Sequence, residues 1–224
     1  NFNINDVDIN GNATITLTHT GTTSFNDIVD IATGVTGIFA NSGGGTVSTS
    51  GIWTLNGTGS ANIGNGSAGA WTMGAEMDLG AGSSVNVNTA ASNFIFDELD
   101  INGATTITLT HTGTTDFNDV VDIATGITAT FANSGGGAVA TSAVWTLNGT
   151  GAMDVGNGSA GPWTFGAEID LGAGSSINVN TAASNFIFDE LDINGNTTIT
   201  LTHTGTTDFN LSLIHISEPT RPSQ

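Results

Sequence analysis

The residues best placed to do chemistry in this chain are carboxylates in close pairs. Glu98 and Asp100 stand two apart, as do Glu168 and Asp170, and Glu76 and Asp78. Residues two apart on a β-strand share a face. Two carboxylates on one face can divide acid and nucleophile roles at a glycosidic bond. They can also offer hard oxygen ligands to a divalent cation such as Ca²⁺. An apolar–Asp–apolar triplet recurs around Asp100, Asp122, Asp154, Asp170 and Asp192. If successive strands stack in register, these aspartates approach a column about 4.8 Å apart. At that spacing unit charges repel by about 0.9 kcal/mol even in water. No Lys or Arg occurs before Arg221 to relieve the repulsion. The expected cation ligands are therefore Glu98, Asp100, Asp122, Asp154, Glu168, Asp170 and Asp192. A solvated acidic face screened by salt is the simpler expectation. The calcium-binding G-G-x-G-x-D nonapeptide is absent.

Catalysis is not expected. The same carboxylate pair recurs without asymmetry, whereas a catalytic site needs one distinctive cleft. His19, His111 and His203 lie 92 residues apart, too far to share a metal, and read as strand-end histidines beside a turn. Trp53, Trp71, Trp145 and Trp163 alternate with Leu55, Met73, Leu147 and Phe165. That places them on the apolar side, with each indole N–H seeking a partner near a corner. "TITLTHTGTT" (Thr14 to Thr23) carries a Thr-x-Thr pattern like that of ice-binding surfaces, but threonine is also a common exposed strand residue. "NSGGG" (Asn133 to Gly137) lacks the lysine and helix of a phosphate loop and reads as a flexible corner.

Strands must position these residues. Val, Ile, Leu, Phe and Trp recur at alternating positions, bounded by Gly and Asn, the pattern of half-buried strands between turns. In "TTITLT", Ile107 and Leu109 should face in and Thr106, Thr108 and Thr110 out. The chain repeats every 92 residues, and residues 1–92 and 93–184 match at 68 of 92 positions. Many differences keep the side chain apolar, such as Val7 for Leu99, Met73 for Phe165, Met77 for Ile169 and Val85 for Ile177. A packed interior tolerates such swaps.

Each repeat divides again, roughly at 94–113, 114–137, 138–161 and 162–185, into strand–turn–strand–turn–strand units. About four such coils per repeat describe an all-β, parallel β-solenoid with three sides. The expected organisation is one repeat over 1–92, a second over 93–184 and a partial third over 185–210. Tandem Ig-like sandwiches of 92 residues are the competing architecture. The internal sub-repeat and the scarcity of proline stand against them.

The formal charge is −19 over 224 residues, with all acidic residues except Glu218 lying before residue 211. Such a surface repels nucleic acid and anionic lipid. There is no cysteine, so no disulfide holds the fold together. No apolar run approaches the ~18 residues of a membrane-spanning helix.

Residues 211–224 break the repeat in mid-unit. "LSLIHISEPTR" (Leu211 to Arg221) resembles a transposase-type sequencing adapter read as protein, and it carries the only arginine. This segment is expected to be non-native, and the rest to be a fragment of a longer reading frame.

Coil length, Gly/Asn/Thr richness, the missing cysteine and the "W-T-x" and apolar–Asp–apolar strands of residues 1–210 together resemble right-handed parallel β-helices of bacterial surface proteins. These are the autotransporter passengers and filamentous-haemagglutinin-type adhesins. The resemblance implies secretion, display on the cell surface and a structural or adhesive role, with neighbouring repeats, surface glycans or matrix as partners. A stalk or adhesin segment is thus the expected function. The alternative is a carbohydrate- or Ca²⁺-dependent binding module.

Overall fold

A computed structural model describes residues 1–64, 69–89, 92–156, 161–180 and 184–211. Apart from Leu211, the adapter-like tail lies outside the described residues. The chain is an all-β parallel β-solenoid, without a helix among the described residues. No helix long and apolar enough to cross a membrane occurs among them either.

Three strands make each turn. In the turn after residue 114 they are Thr115–Phe117, Val121–Ile123 and Thr128–Asn133. Each pairs in parallel with the corresponding strand one turn on: Thr115 with Val139, Val121 with Trp145, Thr130 with Asp154. Partners lie 21 to 24 residues apart in the chain, from Phe2 opposite Thr23 to Thr23 opposite Val47. This pattern excludes the sandwich alternative, which needs antiparallel strands packed within one unit. The third face is a nine-stranded sheet, so its last strand, Thr198–Leu201, lies eight turns from its first, Ala13–Leu17. Trp163–Leu171 and Phe186–Ile193 run unbroken round the corner between the first and second faces. They merge those two faces into one 17-stranded sheet.

The core follows from the alternation. Burial in Thr105–Leu109 runs buried, exposed, buried, half-buried, buried. Met73, Phe165, Met77, Ile169, Val85 and Ile177 are all fully buried, so the apolar exchanges between repeats are exchanges inside one tube. Aromatic rings stack along it at rung spacing: Phe165 on Phe188 at 5.1 Å between centroids, Phe188 on Phe209 at 5.2 Å. Pairing continues across the repeat boundary, with Trp71 opposite Phe94 and Met77 opposite Leu99. No joint separates the repeats there.

The "NSGGG" corner is tied down. The Asn133 Nδ2 donates to the Gly137 carbonyl at 2.7 Å, and the buried Asn41 does the same to Gly45. A Cβ on Gly137 would collide with the Gly113 carbonyl oxygen, and one on Gly161 with that of Gly137. Glycine is needed because the backbones of successive turns touch at this corner.

Candidate functional site

On the second face the ladder aligns Asp8 with Asp30, and Asp78 with Asp100 and then Asp122. Thr54 and Thr146 interrupt the row, and Asp170 opposite Asp192 resumes it. Asp100, Asp122, Asp170 and Asp192 therefore do share one column. Asp154 does not: it lies on the third face, between Thr130 and Asn178. The sequence triplet around Asp154 looks the same, but it belongs to the third strand of its turn, not the second.

The glutamates form a parallel row two residues earlier. Glu168 is opposite Glu190. The Met77 N–H donates to the Glu98 carbonyl, which sets Glu76 and Glu98 on adjacent rungs. Two patches of four carboxylates result: Glu76, Asp78, Glu98 and Asp100, and Glu168, Asp170, Glu190 and Asp192. Partial burial, then the charges of Glu98, Asp100 and Asp78, push the Glu76 carboxyl above its usual range. Glu168 is raised likewise, by burial, Glu190, Asp192 and Asp170.

An amide relieves part of this charge. Asn102 donates to Asp78 at 3.2 Å and to Asp100 at 3.0 Å; Asn194 donates to Asp170 at 2.8 Å and to Asp192. Asn56 and Asn148 donate in the same way to Asp30 and Asp122. Asp122 is nonetheless raised, by burial first and Asp100 second, with the Asn148 bond opposing. Asp97 is raised by burial and by Asp119.

Among the described residues, no group of three or more His, Asp or Glu side chains gathers so as to hold a metal ion. Parallel rungs hold successive carboxylates side by side, projecting the same way, whereas a coordination sphere needs ligands that converge. The seven predicted ligands are thus divided among the aspartate row (Asp100, Asp122, Asp170 and Asp192), the glutamate row (Glu98 and Glu168) and, for Asp154, another face.

His111 and His203 are hydrogen-bonded through both ring nitrogens. His111 is buried, with Nδ1 3.2 Å from the Ser92 carbonyl oxygen and Nε2 2.7 Å from the Thr115 hydroxyl. His203 repeats the arrangement with Ser184 and Thr207. Burial lowers the His111 pKa, and the Ser92 bond partly offsets that. The four tryptophans are fully buried, so they offer no sugar-stacking platform. Their indole N–H groups find no hydrogen-bond partner among the described residues. The expected corner partner is missing; aromatic neighbours surround them instead, with Phe39 4.5 Å from Trp53 and Phe131 4.9 Å from Trp145.

Sequence reasoning missed the grooves of the third face. A groove of ≈ 320 Å³ there is lined by Thr130, Asp154, Asn178, Asn180, Thr200 and Thr202. A second, of ≈ 290 Å³, is lined by Ile38, Asn62, Asn86, Asn88 and Thr110. Shifting the second set by 92 residues gives the first apart from Thr200, with Ile38 replaced by Thr130 and Asn62 by Asp154. The signal was present as polar outward residues spaced by about one turn, 130, 154, 178 and 200.

Comparison with protein-family models, with curated proteins and with solved structures finds no match.

Proposed function

We propose that this chain is a rod-like stalk or adhesin segment of a secreted, cell-surface bacterial repeat protein. The observation that carries the reading is the uninterrupted ladder across the 92/93 boundary, where Trp71 pairs with Phe94, Met77 with Leu99 and Ser84 with Thr106. A repeat that joins its neighbour by the same rungs that build its own interior adds length without a hinge. Turns stack at about 4.8 Å, so the eight turns of the third face span about 38 Å. Near-identity between repeats suits a spacer, which needs the same geometry many times over. Surface display rests on the resemblance to bacterial surface β-helices.

Small-angle scattering on chains of two, three and four repeats tests the rod. With Phe2, Thr23, Val47, Trp71 and Phe94 on successive rungs, each added repeat should lengthen the particle by about 19 Å at constant cross-section. A cross-section that grows with repeat number overturns the reading.

A further inference from the structure

We propose that the third face is a binding surface for a neutral polysaccharide, held in the two repeat-equivalent grooves. The grooves share their asparagines, Asn86 and Asn88 in one, Asn178 and Asn180 in the other, together with a threonine, Thr110 or Thr202. At the positions where they differ, one has Ile38 and Asn62 and the other Thr130 and Asp154, and only the latter is also lined by Thr200. A ligand common to both cannot depend on the Asp154 charge. What remains in common is amide and hydroxyl chemistry, which both donates and accepts hydrogen bonds, as a sugar hydroxyl also does.

The groups are held in place. Asn86 Nδ2 donates to Asn62 Oδ1 at 2.8 Å, and Asn178 Nδ2 to Asp154 Oδ1 at 2.7 Å. Each bond fixes an amide plane and leaves its oxygen directed elsewhere. The Thr110 and Thr202 hydroxyls donate to the Val87 and Val179 carbonyls, both at 3.1 Å, so their oxygens are oriented acceptors. Pre-set polar groups lower the ordering cost of binding.

The remaining ligand classes fit poorly. The net charge of −19 opposes nucleic acid and acidic glycans. A peptide adding as a strand needs a free sheet edge, and the grooves lie on a sheet face. Rung spacing of about 4.8 Å is close to the length of one extended pyranose residue, so a chain running across the rungs within one groove meets a polar side chain at each step: Asn62, Asn86 and Thr108, or Asp154, Asn178 and Thr200. Four rungs, about 19 Å, and an offset of two residues along the strands separate the two grooves: the Asn86 row runs on through Thr108 and Ala132, the Asn178 row back through Asp154, Thr130 and Thr106. This inference does not depend on the rod being a stalk: it concerns one face, and its test reads binding rather than length.

Affinity gel electrophoresis of the whole chain tests it, with hydroxyethylcellulose, galactomannan, xylan and dextran as neutral probes and alginate and chitosan as charged ones. At least one neutral gel should retard the protein. N86A/N88A/N178A/N180A should weaken that retardation at least tenfold, and the single-groove variant N178A/N180A by an intermediate factor. T54A/T146A, on the second face, should leave it unchanged, and urea midpoints establish that each variant folds. Three outcomes overturn the proposal: no retardation by any neutral gel, retardation by chitosan alone, or equal retardation of the quadruple variant and the parent.

Discussion

At the scale of single residues, backbone contact and buried charge decide most. Gly137 sits where a Cβ would meet the Gly113 carbonyl oxygen, whereas Gly11 has nothing within 4 Å of the same added atom. Gly137→Ala should therefore lower stability by about 1–3 kcal/mol, the usual range for overpacking. Gly11→Ala should be near neutral, and a pair of urea melts checks both. Asn148 supplies a hydrogen bond that pulls the Asp122 pKa down against burial and Asp100. Asn148→Ala should raise the Asp122 midpoint further, seen directly in a carboxyl ¹³C titration. Asn148→Asp should raise it more, because a donor is then exchanged for another negative charge.

At the scale of strands, the two threonines in the second-face row stand out. Thr146 separates Asp122 from Asp170, and Thr54 separates Asp30 from Asp78. Thr146→Asp would place a carboxylate between two others, at about 0.9 kcal/mol of repulsion per neighbour in water. The loss should shrink as NaCl rises, since salt screens exposed charges, and Thr146→Asn should cost little. Urea midpoints at low and high ionic strength distinguish the two variants. Strand alternation was legible in the sequence because apolar and polar residues differ so sharply: Ile107 and Leu109 face in and Thr106 out, as their pattern requires. Which outward residues share a row was not legible. Row membership depends on which strand of its turn a residue occupies, and the corners vary in length. Asp154 carries the same triplet as Asp122 yet falls on another face. The grooves escaped notice for a related reason, since their residues are a full turn apart and no local window joins them. The "NSGGG" corner looked flexible because glycine usually signals freedom. Here it signals contact between turns, which only the stacked structure reveals.

At the scale of the whole molecule, the fold sets buried neutral groups against a crowded acidic surface, and pH separates the two. His111 has a lowered pKa in the folded chain. The unfolded chain therefore takes up that proton first, and stability held above about pH 6.5 is lost as the pH falls through the ordinary histidine range. Glu76, Asp97, Asp122 and Glu168 have raised pKa values. For them the folded chain takes up the proton first, so stability is gained as the pH falls from their raised midpoints toward the ordinary carboxylate range of about 4. The two effects have opposite sign: one sets in at the ordinary histidine range, and the other is complete at the ordinary carboxylate range. Stability at fixed ionic strength should fall as the pH drops through the ordinary histidine range and recover as it approaches the ordinary carboxylate range. His111→Gln, which keeps a polar side chain able to meet the Thr115 hydroxyl, should remove the dip and leave the recovery. Glu76→Gln with Glu168→Gln should raise stability at neutral pH and flatten the recovery. Urea midpoints across this range for the parent and both variants check the account. A parent whose stability falls steadily from pH 8 to 4.5 would show that the acidic row does not strain the fold.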